Sequence, residues 1–202
     1  MKIGFSLLLW TTHVDRSHWP ILRALKAAGF DGAEIPVTSL TIAECTELAR
    51  VMADIGLQAV ASGGIPDQAR NPISADPAQA QAGIDQLKSL VDRAKALGAT
   101  TLIGPFFQPL GQFSGQGITP AEWDRLVTAH QQMADHAGTN LTLSVEPLNR
   151  FECYALNTTT QAAALVNAVD RPNYGYLYDT FHANIEERDP IGAISTTAGA
   201  IN

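Results

Sequence analysis

Apolar positions along the chain follow two periods. Six short runs are apolar on almost every residue: Ile3–Leu9, Ala33–Val37, Gln58–Ala61, Thr101–Pro105, Leu141–Glu146 and Tyr174–Tyr178. Runs of that length and composition are expected of parallel strands covered on both faces. Between them the apolar residues recur at helical spacing. Ile84, Leu87, Val91, Ala94 and Leu97 would share one helix face, and Gly98 follows as a stop. The helix starts repeat one form. Asp76-Pro77-Ala78-Gln79 and Thr119-Pro120-Ala121-Glu122 each place a cap, a proline at the first helical position and a capping-box partner in order. Thr41-Ile42-Ala43-Glu44 is the version without proline, and Asp189-Pro190 opens the last helix. Gly29, Gly56, Gly98 and Gly138 fall near helix ends, just before the next strand.

This alternation predicts about six βα units and a mainly parallel sheet with right-handed crossovers. Two architectures fit: a doubly wound open sheet, or a (β/α)8 TIM-barrel type truncated to about six βα units. A dinucleotide-binding sheet should carry a glycine-rich turn after its first strand, but that turn reads Leu9-Trp10-Thr11-Thr12-His13. No phosphate-loop motif occurs elsewhere. The polar and charged residues gather instead at the C-terminal ends of several strands, where barrel enzymes keep their chemistry. The expectation is therefore one barrel-type domain over residues 1–202.

Composition narrows the class. With 46% hydrophobic and 16% charged residues the chain suits a compact globule and not a disordered one. A net charge of −7 with scattered Lys and Arg argues against nucleic acid as a partner. The opening run is too short to span a membrane and lacks a small-residue cleavage site, so it reads as a buried first strand. Cys45 and Cys153 have no metal-type spacing, which fits a reducing, cytoplasmic setting.

The most informative stretch is Leu143-Ser144-Val145-Glu146-Pro147-Leu148-Asn149-Arg150-Phe151-Glu152. Glu146 ends an apolar strand, and the proline after it stops the ladder. A carboxylate there points into the barrel mouth, where it is costly to desolvate unless paired with a cation. Asp179 ends the next strand in the same way, with His182 just beyond. Neighbouring strands lie roughly 5 Å apart, so one divalent ion could bridge both carboxylates, whereas two bare ones would repel. Each has a plainer reading: an Asp at a strand end can cap the following turn, and a Glu can pair with Arg150. Placement on consecutive strands favours a metal site. Trp10, Phe106 and Phe107 are candidate walls of a pocket, with plain packing the alternative. Ser62-Gly63-Gly64 is either a place of close substrate approach or a simple turn. Arg150 is expected to order its loop through an ion pair, Glu34 to face the mouth, and Glu186 and Glu187 to form a solvated charged face.

Glu-Pro-Leu-Asn-Arg-Phe-Glu at 146–152, Asn157-Thr158 and Asp-Thr-Phe-His-Ala-Asn-Ile-Glu-Glu at 179–187 resemble the ketose 3-epimerases, the D-tagatose/D-psicose group of the xylose isomerase-like TIM-barrel superfamily. Leu-Leu-Leu-Trp at 7–10, Gly-Phe-Asp-Gly-Ala-Glu at 29–34 and Gly-Pro-Phe-Phe at 104–107 extend the likeness along the chain. The resemblance implies epimerisation of free ketoses at C3 through an enediolate, with a sugar as the partner. It makes Glu146 a metal ligand and an acid/base carboxylate, and Asp179 a second ligand. His182 and Glu152 would hydrogen-bond the sugar's C1–C2 end, and Trp10 and Phe107 would wall its pocket. The implied cofactor is a divalent metal, Mn²⁺ first, then Co²⁺ or Mg²⁺, in keeping with oxygen-rich ligation. In the family a His on a seventh strand and a Glu on an eighth complete the ligands, and that Glu is the second acid/base group. This sequence reaches Ala198-Gly199-Ala200-Ile201-Asn202 where a seventh strand would begin. A weakly active or inactive barrel fragment is therefore the non-enzyme alternative, and an aldose–ketose or hydroxypyruvate-type isomerase the enzymatic one. Open edges on the first and last strands leave self-association into a homo-oligomer open.

Overall fold

The computed structural model describes residues 1–202. Its strands are β1 (Gly4–Ser6), β2 (Gly32–Pro36), β3 (Gln58–Ser62), β4 (Thr101–Gly104), β5 (Thr142–Val145) and β6 (Tyr174–Tyr176). Its helices are α1 (Trp19–Ala27), α2 (Ile42–Ile55), α3 (Pro77–Ala96), α4 (Pro120–Ala137), α5 (Thr159–Val169), α6 (Thr180–Glu186) and α7 (Pro190–Thr197). Strand order in the sheet is the order in the chain, β1 to β6, and every pairing is parallel. A doubly wound sheet reverses its strand order at a switch point. The unbroken sequence of neighbours is that of a barrel. Beside β6, Ile201 forms a parallel bridge with Tyr176, and the Asn202 N–H donates to the Tyr176 carbonyl at 3.2 Å. The last residues thus lie where the expected seventh strand would pair.

Cross-strand register explains the two-sided burial. Ile35, Ala61, Leu102, Leu143 and Tyr174 stand level on successive strands and are all buried in the core. The alternate level Pro36, Ser62, Ile103 turns the other way and lines an open cavity at the mouth. Tyr174 meets buried His130 of α4, and Phe106 packs on the same imidazole with ring centroids 5.6 Å apart. Burial pushes the His130 imidazole down to about 4, so it sits in the core uncharged.

The strands are shorter than the apolar runs. β1 stops at Ser6 because its hydroxyl accepts from the Leu8 N–H at 3.3 Å, and Leu7–Leu9 turn into a short 3₁₀ helix. β4 ends at Gly104, whose φ of +132° suits glycine. A Cβ there would sit 2.3 Å from the Gly63 carbonyl oxygen, so the β3 and β4 ends approach closely only because residue 104 is bare. The expected caps form at Thr41, Asp76, Thr119 and Asp189. Reciprocal boxes close at Thr41/Glu44 and Thr119/Glu122, and also at Thr158/Gln161 on α5. At Asp76 the box does not close: Gln79 instead accepts from the Ser74 hydroxyl at 2.8 Å.

Two expectations are overturned here. The first strand is not buried: β1 pairs only with β2, and Gly4 is exposed while Phe5 and Ser6 are half-buried. Glu186 and Glu187 are not a solvated face. The Glu186 side chain is only 4% exposed and takes Arg150 in a two-pronged ion pair, with contacts of 2.8 to 3.1 Å. Glu187 accepts from both the N–H and the hydroxyl of Thr159, at 2.7 and 2.8 Å, at the start of α5. Both carboxylates tie α6 back to the segment that follows β5.

Candidate active site

Glu146 follows directly on β5, and its N–H still donates to the Gly104 carbonyl at 3.0 Å, which continues the ladder by one residue. Asp179 lies three residues past the end of β6 and is the N-cap of α6, its Oδ1 accepting from the Phe181 N–H at 2.7 Å. The cap uses one oxygen and leaves Oδ2 turned toward the mouth. His182, one turn into α6, brings its Nε2 to 3.9 Å from Glu146 Oε1 and 3.8 Å from Asp179 Oδ2. Ligand atoms of Glu146, Asp179 and His182 all lie within 4.8 Å of one another.

The electrostatics of this trio are unbalanced. Burial pushes the Glu146 carboxyl up to about 8, and Asp179, Glu34 and Glu152 all act in the same direction. Arg150, the nearest cation in sequence, is spent on Glu186. A half-buried acid crowded by other acids, with only an imidazole beside them, is where a cation would be most stabilising. The donor set is oxygen-rich and hard, which suits Mn²⁺ or Mg²⁺ better than a thiolate-seeking ion.

The loop after β5 holds the rest. Asn149 is buried, and its main-chain N–H donates to His182 Nδ1 at 3.2 Å while its side-chain amide lies 2.9 Å from the same nitrogen. That amide also donates to Glu152 Oε1 at 2.6 Å. Glu152 in turn stands 4.0 Å from His182 Nδ1. Glu146, Asp179, His182 and Glu152 are thus assembled into one site by two neighbouring loops.

A cavity of about 360 Å³ opens beside Glu146, lined by Leu8, Thr12, Glu34, Thr38, Ser62, Gly63, Ile103, Pro105 and Leu110 among others. It contains no Lys or Arg. Glu34 faces it, as expected, and so does the Ser62-Gly63-Gly64 turn. The aromatic walls differ from expectation. Phe106 and Phe107 are wholly buried in the core, because the chain turns inward after Gly104. Trp10 is half-exposed at the rim, stacked on Phe5 with ring centroids 5.3 Å apart, and is not part of the cavity wall. Leu8 and Leu110 take that place, both about half-exposed.

Comparison with known proteins bears directly on this arrangement. The model of the xylose isomerase-like TIM barrel family matches residues 22–201. The ketose 3-epimerase of Arthrobacter globiformis is 35% identical across this whole chain, which spans 70% of that protein. This chain belongs to the ketose 3-epimerases of the xylose isomerase-like TIM-barrel family. A solved L-ribulose 3-epimerase, 31% identical, superposes over the full chain and 68% of its own length with a TM-score of 0.88. The D-allulose 3-epimerase from Methylomonas sp., solved with D-allulose, is 26% identical with a TM-score of 0.90 over the full chain and 70% of its own length. Ketose 3-epimerases are isomerase-class enzymes, and epimerase is the class to which this chain belongs. Helices long and apolar enough to cross a membrane are absent, and both cysteines are free and buried.

In this ketose 3-epimerase fold both sequence-named carboxylates lie at the mouth, and Arg150 orders its loop through the expected ion pair, but its partner Glu186 and the placement of Asn149 were not foreseen. Asn149 had no local signal, since its partner His182 is 33 residues away. Leu8 was hidden inside the apolar run Ile3–Leu9, which reads as strand, and Leu110 because isolated leucines in loops are common on any surface.

Proposed function

We propose that this chain acts on free ketoses at C3, with Glu146 as the base that removes the C3 proton, a second acid on the opposite face of the enediolate returning one to complete epimerisation, and with Glu146 and Asp179 as ligands of a divalent cation, Mn²⁺ foremost. One observation carries the reading. Glu146 and Asp179 converge at the mouth, and burial together with the carboxylates of Asp179, Glu34 and Glu152 raises the Glu146 carboxyl. A base must be ionised to accept a proton, yet Glu146 without a counter-charge is held protonated at neutral pH. The ligand and base roles therefore require each other. When bound, the cation would supply positive charge beside the C2 carbonyl, which makes the C3 proton removable.

The chain's own residues supply orientation. Glu152 and His182 flank one side of the carboxylate pair and would hold the O1 and O2 end of the sugar. The cavity beside Glu146 would take the distal carbons, with Leu8 and Leu110 against their apolar edges. Because that cavity lacks Lys and Arg, an unphosphorylated sugar fits better than a phosphorylated one. Solved D-psicose 3-epimerases were determined with D-tagatose and in the presence of D-fructose, and these sugars with D-allulose are the first substrates to test.

Proton abstraction can be read apart from inversion. With Mn²⁺ in D₂O, the chain should wash deuterium into C3 of D-tagatose, D-fructose or D-allulose, followed by NMR, and Glu146→Gln should abolish it. Exchange at C1 in place of C3 would favour an aldose–ketose isomerase. Folded, Mn²⁺-binding protein that exchanges neither position would overturn the proposal.

A further inference from the structure

His182 sits between two carboxylates on one side and Asn149 on the other, and the Asn149 side determines its proton. A main-chain N–H can only donate, so the His182 Nδ1 that receives it at 3.2 Å must offer a lone pair. The side-chain amide of Asn149 approaches the same lone pair at 2.9 Å. Its orientation is set independently: the Asn149 Oδ1 accepts from the Phe151 N–H at 3.0 Å, and its Nδ2 donates to Glu152 at 2.6 Å. Flipping the amide would set its oxygen against a carboxylate and its NH₂ against an N–H. Both donors of Asn149 therefore point the same way, and the neutral imidazole is left with its proton on Nε2, the nitrogen that faces Glu146 and Asp179.

We propose that Asn149 is a positioning residue that holds His182 as its Nε2–H form, making His182 a hydrogen-bond donor to a substrate oxygen over the carboxylate pair and withholding it from metal ligation. The three residues nearest one another thus divide into two ligands and one donor, although their geometry alone would allow three ligands. The donor role rests on the proposed sugar chemistry; the tautomer does not. Asn149 acts through His182 and touches no reacting atom.

The test is long-range ¹H–¹⁵N NMR on ¹⁵N-histidine-labelled, metal-free protein at alkaline pH, with the His182 signals assigned by their loss in His182→Gln. The native chain should show a proton on Nε2 and none on Nδ1; a proton on Nδ1 overturns the proposal. Asn149→Asp replaces the donating amide with an acceptor, and the Nε2–H population should fall at least about twofold. A folded Asn149→Asp protein whose His182 is unchanged would assign the tautomer to the main chain alone and remove the side chain's role. If that variant does not fold, the native tautomer still decides. With turnover in hand, Asn149→Asp should lower kcat/KM by about 10–100-fold, the usual scale for loss of a partner that orients a site histidine. Because the tautomer is read without turnover, failure of the epimerase reading and failure of this one are separate results.

Discussion

Removing the charge of Glu146 should make the metal-free protein more stable at neutral pH. Burial and the neighbouring carboxylates push its carboxyl up to about 8, against an ordinary value of about 4.3 for an unfolded glutamate. The folded state thus binds the proton more tightly than the unfolded chain. Its contribution to stability is complete below about pH 4.3 and is lost as pH rises toward 8. At pH 7 the unfolded glutamate is ionised while the folded one is still mostly protonated. The loss is then about 4 kcal/mol, from about 1.4 kcal/mol for each unit between 4.3 and 7. Glu146→Gln keeps the shape and hydrogen-bonding reach without the charge. Urea or thermal denaturation with EDTA present, at pH 5, 6, 7 and 8, should show the variant drawing ahead as pH rises, by a Tm difference of roughly 8–16 °C at pH 7 for a chain of this size. Taking the difference between the two proteins cancels the titration of His130 and other shared groups. Adding Mn²⁺ should reverse the order, since only the native protein keeps both ligands and gains stability by mass action. A gap that is absent at pH 7, or that does not change with pH, would refute the electrostatic account of the site.

Two further outcomes follow from the scaffold. Arg150→Ala strands a Glu186 carboxylate that is 4% exposed but leaves the main-chain N–H of residue 150 donating to it at 2.7 Å; Arg150 itself is largely exposed, so urea denaturation should show a small but measurable loss of stability, with weaker Mn²⁺ binding and partial recovery in Arg150→Lys. Stability unchanged in Arg150→Ala would mean that the pair does not anchor α6. Gly104→Ala combines a φ of +132° with a Cβ 2.3 Å from the Gly63 oxygen, and should cost about 3 kcal/mol or more in thermal melts; a cost below about 1 kcal/mol would show that the β3 and β4 ends can part freely.

The barrel architecture was legible because its signals are local and repeated. Capped helix starts and short apolar runs recur along the chain, and each reports on itself without help from distant residues. The two carboxylates were legible for a related reason, since a strand end followed by proline or by a helix start points its side chain into the mouth. What could not be read was anything resolved by a partner far along the chain. Glu186 and Glu187 look like an exposed acidic pair until Arg150 and Thr159, 36 and 28 residues before them, bury and satisfy them. Phe107 looks like a pocket wall until the turn at Gly104 folds it into the core. Asn149 is one polar residue in a polar loop, and only the tertiary fold sets it against His182.

Asp179 serves two masters. One of its oxygens starts a helix, and the other faces the mouth. Glu146 has no such second employment, and without a cation its presence makes the folded chain worse off at neutral pH. The two would part company under drift. A descendant that had abandoned the chemistry would still be selected to keep Asp179 for its helix, but would gain by replacing Glu146. Among relatives, loss of Glu146, and not of the larger motif around Asp179, should therefore mark the chains that have left the proposed chemistry.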